Sequence, residues 1–376
     1  MSKPGPVRVL WLIKGLGPGG AERLLAAAAR THDPARVALH VAYLLPHKDH
    51  LVQELEEAGV RVICLDAPRE QDLRWLGRLR ALVNRERIEV VHSHSPFVAG
   101  FARLALRAMP KRRRPALVST EHNAWSTFAR PTRLLNSVTH PLDDARFAVS
   151  EEARASMHPR LAQHVEVLVH GIDLAQVRAS RAQRDGMRSQ LGLSPEHVVV
   201  GTVANYRPQK AYPVLLHAAR QVAEDAYLAR FVVVGQGPLA SEVEALHRQL
   251  GLEDRMQLLG YRSDAVDVLA ACDVFCLSSD YEGLPVAMME ALALGLPVVS
   301  TEVGGVAETI DDGVSGRLVP TQDPQALAAA LTEVIEDPEL RAALAAGAAA
   351  LADRFDMRRV TAQLEALYGD LARGRP

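Results

Sequence analysis

Residues Val7–Arg30 read VRVLWLIKGLGPGGAERLLAAAAR. Seven mostly apolar residues, Val7–Ile13, predict a buried strand interrupted only by Arg8. The loop Gly15–Gly20 follows, and then the Ala/Leu-rich run Ala21–Arg30, which predicts a helix. Strand, glycine loop and helix in that order form one half of a parallel βαβ unit. The same rhythm continues outward. Strands are predicted at Val37–Leu45, Val60–Leu65, Glu89–His92, Ala116–Thr120, Arg146–Val149 and Val165–Val169, with helix-like segments between most of them. It breaks from Ile172 to about Ser194, where Arg, Gln and Ser crowd RASRAQRDGMRSQ. A second series restarts at His197–Ala204 and runs through Arg230–Val234, Met256–Leu259, Asp273–Leu277, Pro297–Ser300 and Gly316–Val319. The tail Pro324–Arg373 predicts helices only.

The chain is therefore expected to be α/β, with two open parallel-sheet domains facing a central cleft. In such sheets ligands bind beyond the carboxyl ends of the strands, so each loop after a strand is a candidate site. Residues 1–171 form the first expected domain and residues 172–356 the second. The final helix, Met357–Ala372, is expected to cross back to the first domain. No repeat of solenoid length is present.

Composition narrows the function classes. The chain has 376 residues, 48% of them hydrophobic, and a net charge of -2, so no global field draws it to nucleic acid. The longest charge-free stretch, Val90–Ala102, has thirteen residues, against roughly 20 for a bilayer span. The polar lead MSKPGP runs straight into a strand, which argues against a signal peptide. Three cysteines are too few for a disulfide framework or a four-ligand zinc site, and Cys272 and Cys276 read as core. A cytoplasmic protein is expected.

The densest chemistry lies in Ser278–Pro297, SSDYEGLPVAMMEALALGLP. Pro285 suits the first position of a helix, Gly283 lets backbone approach a ligand, and free amides at the helix start favour an anion. Glu290 lies five residues beyond Pro285, about 7.5 Å along the axis. Glu282 and Glu290 thus suit two polar groups of one extended ligand rather than a shared proton or metal. Arg207 and Lys210, after a strand and before a helix, suit a diphosphate. Only five of the 43 basic residues are Lys, which singles out Lys210. Gly15-x-Gly17-x-x-Gly20 fits a dinucleotide fingerprint, but Tyr43–His47 at the end of the second strand supplies no acidic ribose ligand.

Together these segments resemble glycosyltransferase family 4, retaining enzymes of the GT-B fold. Glu282 and Glu290 match its pair of glutamates with seven residues between them, Arg207 and Lys210 its phosphate-binding pair, and Gly304–Glu308 its Gly-Gly-then-Glu turn. Gly19 and Gly20 are similar to its N-terminal glycine pair. His170-Gly171-Ile172-Asp173 stands where the family has Asn-Gly-Val-Asp. The resemblance implies transfer of a hexose-type sugar from a UDP- or GDP-linked donor to an acceptor hydroxyl, with retention and without a metal or other cofactor. It implies catalytic roles for His122, Arg207, Lys210 and Glu282. Donor binding would fall to Gly19, Gly20, Gly235, Tyr261, Arg262, Gly283, Leu284 and Glu290. His94 and Trp125 are acceptor-side candidates. Acceptors left open are a glycan, a lipid-linked saccharide or a small molecule. A metal at His92, His94 and His122 would need Glu121 or Asp143, and the spacing does not favour it. The basic segment 103–114 suits an anionic membrane surface, which would make the protein peripheral on the inner face. Two other readings are a non-hydrolysing sugar-nucleotide epimerase and a non-catalytic binding protein on the same fold.

Overall fold

The computed structural model describes residues 5–17 and 19–374. Pro18, inside the expected glycine loop, lies outside the described residues. The chain forms two compact units. One comprises residues Met1–Asp173 with Met357–Pro376, and the other Leu174–Asp356.

The first unit is built on β1 (Val7–Ile13), β2 (Val37–Tyr43), β3 (Arg61–Cys64), β4 (Val90–Ser93), β5 (Ala116–Glu121), β6 (Ala145–Ala148) and β7 (Glu166–Val167). They pair in the order β3-β2-β1-β4-β5-β6-β7, every pair parallel. The second unit holds β8 (Val198–Val203), β9 (Ala229–Val234), β10 (Met256–Leu258), β11 (Val274–Leu277), β12 (Val298–Thr301) and β13 (Gly316–Val319). Their order is β10-β9-β8-β11-β12-β13, again all parallel. Each predicted strand is present. The largest shortfall is β7, which pairs with β6 only at Glu166 and Val167 because it closes the sheet as an edge. Val165 instead packs in a small core with Trp125, Ala148, Ala153 and Met157.

Strand order reverses between β1 and β4 in one sheet and between β8 and β11 in the other. At such a reversal the flanking helices lie on opposite faces, which opens a crevice at the carboxyl edge. The glycine loop follows β1 and His94 follows β4. Arg207 and Lys210 follow β8 and Glu282 follows β11.

The last helix, Met357–Arg373, is part of the first unit. Trp11 Nε1 donates to Tyr368 Oη at 3.1 Å, the Asp33 amide donates to Glu365 Oε1 at 2.7 Å, and Thr31 and Thr361 hydroxyls meet at 2.9 Å. Two expectations need correction. Pro285 is the cap of the helix Val286–Ala293 rather than its first residue, because its ψ of 121° is extended. The segment 103–114 is not one basic surface. Arg103 is 2% exposed and pairs with Asp143 at 2.7 Å, while Arg107 holds Asp144 and the Leu142 carbonyl. Leu106 and Met109 lie in the core, with Phe101 packed against it.

Removing one partner of a buried ion pair strands the other charge, which costs about 3–5 kcal/mol. Arg103→Leu should therefore lower the unfolding free energy by about that much in a urea titration. A loss no larger than that of an exposed Arg substitution would show that the pair does not organise this unit.

Candidate active site

In the second unit, Lys210 Nζ is ion-paired with Glu282 Oε1, and Ser279 Oγ donates to the same oxygen at 2.6 Å. Both Lys210 and Glu282 are half-buried, while Arg207 is exposed. The loop that carries Lys210 is fixed from several sides. Ser278 Oγ donates to the Lys210 carbonyl at 2.9 Å, and the Asp280 amide donates to the Gln209 carbonyl at 2.8 Å. Ala211 follows in the left-handed region at φ 44°, which turns the chain sharply into the helix Tyr212–Asp225. Tyr212 Oη anchors that turn on the Ala204 carbonyl at 2.6 Å.

Neighbouring loops close on this one through glycine. A Cβ on Gly235 would collide with the Ala204 carbonyl, and one on Gly305 with the Gly283 carbonyl. The Gly305 amide donates to that carbonyl at 2.8 Å, so the turns after β11 and β12 are stitched together beside Leu284. Glycine at 235 and 305 thus has a packing reason independent of any ligand. Glu290 is buried on the helix Val286–Ala293. Tyr261 is 47% exposed beyond β10, and Arg262 is committed to Asp264 at 2.5 Å.

The first unit places Gly19 as the cap of the helix Gly20–Thr31. At the carboxyl ends of β4 and β5 it assembles a row of imidazoles. The rings of His92 and His94 lie 4.2 Å apart, His94 Nδ1 is 3.3 Å from His122 Nε2, and His122 stacks on His170 at 5.0 Å with the rings 4° from parallel. His92 is a satisfied structural residue, bonded to Tyr368 Oη at 2.6 Å and Thr120 Oγ1 at 2.8 Å. Nε2 of His94 and of His170 is buried without a partner. Burial, reinforced by neighbouring imidazoles, holds His92, His94 and His122 well below the usual histidine range. Burial alone takes His170 to about 4.

Asp143 is taken by Arg103 and Ser119, and among the described residues no group of three His, Cys, Asp or Glu is placed to hold a metal. Trp125 does not line a binding surface. The short turn Trp125–Thr127 folds its ring into the core, where it is 2% exposed. Sequence reasoning assigned no role to Ser279, whose partner Glu282 is in the same loop, or to Tyr368, whose partners Trp11 and His92 lie on distant strands, and it left the role of His170 open.

Comparison with known proteins gives the family and the fold. A family model described as "Glycosyltransferase Family 4" matches residues 18–176, and one described as "Glycosyl transferases group 1" matches residues 183–350. The chain belongs to the group 1, family 4 glycosyltransferases. It is 35% identical over 252 residues to a D-inositol 3-phosphate glycosyltransferase of Saccharomonospora viridis, covering 63% of this chain and 58% of that protein. It is 28% identical over 320 residues to the putative glycosyltransferase EpsF of Bacillus subtilis, covering 82% of each. The fold is that of Anabaena HepE, solved in complex with UDP and glucose, at a TM-score of 0.85 and 23% identity over 97% of this chain and 100% of that one. Family membership favours the glycosyltransferase reading over the epimerase and the non-catalytic one.

Imidazoles held neutral in the fold protonate on unfolding, so below about pH 6.5 the unfolded chain binds more protons. Their contribution is intact above that pH and is lost as pH falls toward the folded values. Glu121 opposes this. Burial raises it to about 7, so it holds a proton in the fold and loses that contribution as pH rises to 7. The melting temperature should fall from pH 7 to pH 5, less steeply in His170→Asn and more steeply in Glu121→Gln. Identical slopes in all three proteins would contradict the assignment.

Proposed function

We propose that this glycosyltransferase moves a hexose-type sugar from a nucleoside diphosphate donor, UDP in the first instance, to an acceptor hydroxyl with retention and without a bound metal ion. The observation that carries the reading is the Lys210–Glu282 pair at the reversal between β8 and β11, with exposed Arg207 beside it. A Lys ammonium has three donors, so Lys210 can keep Glu282 and still serve a phosphate oxygen. Two cations at the leaving diphosphate do the electrostatic work a metal would otherwise do. UDP is preferred to GDP because HepE was solved with UDP-glucose and a 26% identical Escherichia coli relative is named a UDP-Gal galactosyltransferase.

In the proposed reaction the bond from the anomeric carbon to the phosphate breaks while one to the acceptor oxygen forms on the same face. The leaving phosphate takes the acceptor's proton. Arg207 and Lys210 hold the diphosphate, Glu282 and the Gly283–Leu284 backbone hold sugar hydroxyls, and Glu290 holds the ribose. Tyr261 and Gly235 serve the nucleoside. The family resemblance gives Gly19, Gly20 and His122 of the first unit a part in the same reaction.

The acceptor is proposed to be lipid-linked, with the protein resting on an anionic membrane. No helix among the described residues is long and apolar enough to cross one. The surface that suits lipid takes in only part of the segment 103–114 and extends onto a second helix. Helices Pro96–Arg107 and Arg130–Thr139 pack together through Arg103 and Asn136 at 2.6 Å. They leave Leu104, Leu134 and Val138 exposed among exposed Lys111, Arg112, Arg113, Arg130 and Arg133. The one acidic residue from 96 to 142 is Glu121, which is buried. Each cation near such a surface contributes about 1 kcal/mol.

UDP at a hundred times its dissociation constant should add about 2.7 kcal/mol of stability, and EDTA should leave that gain unchanged. Proton NMR of the glycosylated product should show the donor's anomeric configuration, and an inverted product would overturn the mechanism. Sedimentation with phosphatidylglycerol vesicles should weaken with salt and in Leu134→Ser/Val138→Ser. Equal sedimentation with pure phosphatidylcholine would remove the lipid reading.

A further inference from the structure

The imidazole row in the first unit has a direction, and that direction can be read from its ends. The indole nitrogen of Trp11 can only donate, and its bond goes to Tyr368 Oη at 3.1 Å. Tyr368 then gives its own proton to His92 Nδ1 at 2.6 Å. His92 therefore carries its single ring proton on Nε2 and donates it to Thr120 Oγ1 at 2.8 Å. This line of bonds holds the His92 ring at both nitrogens and fixes its plane. His94 lies against that ring at 4.2 Å and meets the edge of Trp11 at 5.9 Å, so its own ring is held from two sides.

His94 has one ring proton to place. Its Nδ1 faces His122 Nε2 at 3.3 Å, and its Nε2 is buried with no partner. A proton on Nε2 would strand a buried N–H. A proton on Nδ1 makes the bond to His122 and leaves only an unused lone pair in the interior. Stranded N–H groups are the rarer of the two in folded proteins. The bond made by one nitrogen of an imidazole decides the state of the other.

We propose that His94 is a positioning residue that donates from Nδ1 to His122 Nε2, so that His122 stands as the Nδ1–H tautomer and offers substrate a hydrogen-bond donor. Stacking on His170 holds the His122 ring from the other side. The group that His122 takes is then an oxygen with a free lone pair, such as a sugar hydroxyl, and not a donor such as an ammonium. Burial keeps both rings neutral, which agrees with this use. The substrate half of the inference rests on the proposed role of His122 in sugar transfer, while the tautomer stands apart from it.

The test is nitrogen-15 NMR of the histidine side chains of the whole chain at neutral pH, with steady-state kinetics on two variants. The wild type should show the His122 proton on Nδ1 and none on Nε2. His94→Phe keeps a ring against His92 and Trp11 but has no donor, and it should lower kcat about tenfold, the worth of one oriented hydrogen bond, with the donor KM unchanged. His94→Asn places an amide donor near the Nδ1 position and should restore most of that loss. A wild-type His122 proton on Nε2 would overturn the proposal, as would His94→Asn no more active than an equally folded His94→Phe. If the tautomer is as expected and His122→Phe is fully active, the proposed use of His122 in transfer fails while the tautomer assignment holds.

Discussion

One ion pair, Lys210 with Glu282, ties together the two loops on which the proposed donor chemistry depends. They follow β8 and β11, adjacent strands whose flanking helices diverge, so nothing in the sheet itself would hold them at one place. Ser279 shares the carboxylate, Ser278 fixes the lysine's carbonyl, and left-handed Ala211 turns the chain away immediately afterwards. The close approach of Gly235 to Ala204 and of Gly305 to Gly283 then packs the remaining loops around that pair. A half-buried lysine satisfied by a carboxylate is a stable resting arrangement, and the two donors it has left suit an incoming anion.

The first unit solves a different problem. Its row of imidazoles carries no net charge, and its order comes from aromatic packing and from the bonds that reach it through Tyr368. That tyrosine sits on the last helix of the chain, 357 residues from the tryptophan that donates to it. The carboxyl-terminal helix is thus part of the site's scaffold, and an account of His94 and His122 that stopped at β4 and β5 would lack the reason their rings stay where they are.

Much of this was legible in the sequence because its signals are local. Val7–Ile13 and Gly316–Val319 are strands with the predicted bounds, since a parallel sheet buried on both faces writes itself as short apolar runs. Arg207, Lys210 and Glu282 stand on loops directly after such runs. What the sequence hid is pairwise and distant. Arg103 looked like one more surface cation until Asp143, forty residues away, proved to be its buried partner. Trp125 read as an acceptor-side residue, and only its packing with Met157 and Val165 shows it to be core. His170 departs from the family's asparagine, and its meaning depends on a stack with His122 that no spacing announces.

The central claim is that Lys210 holds a diphosphate while Glu282 competes for the same ammonium and serves the sugar. Calorimetric titration of UDP and of UDP-glucose into the wild type, Lys210→Met and Glu282→Gln tests it most directly. The account predicts much weaker UDP binding in Lys210→Met. In Glu282→Gln, UDP should bind as tightly as in the wild type or more so, and the further affinity that glucose adds should be lost. Unchanged UDP affinity in Lys210→Met, or a parallel loss of both ligands in Glu282→Gln, would contradict it.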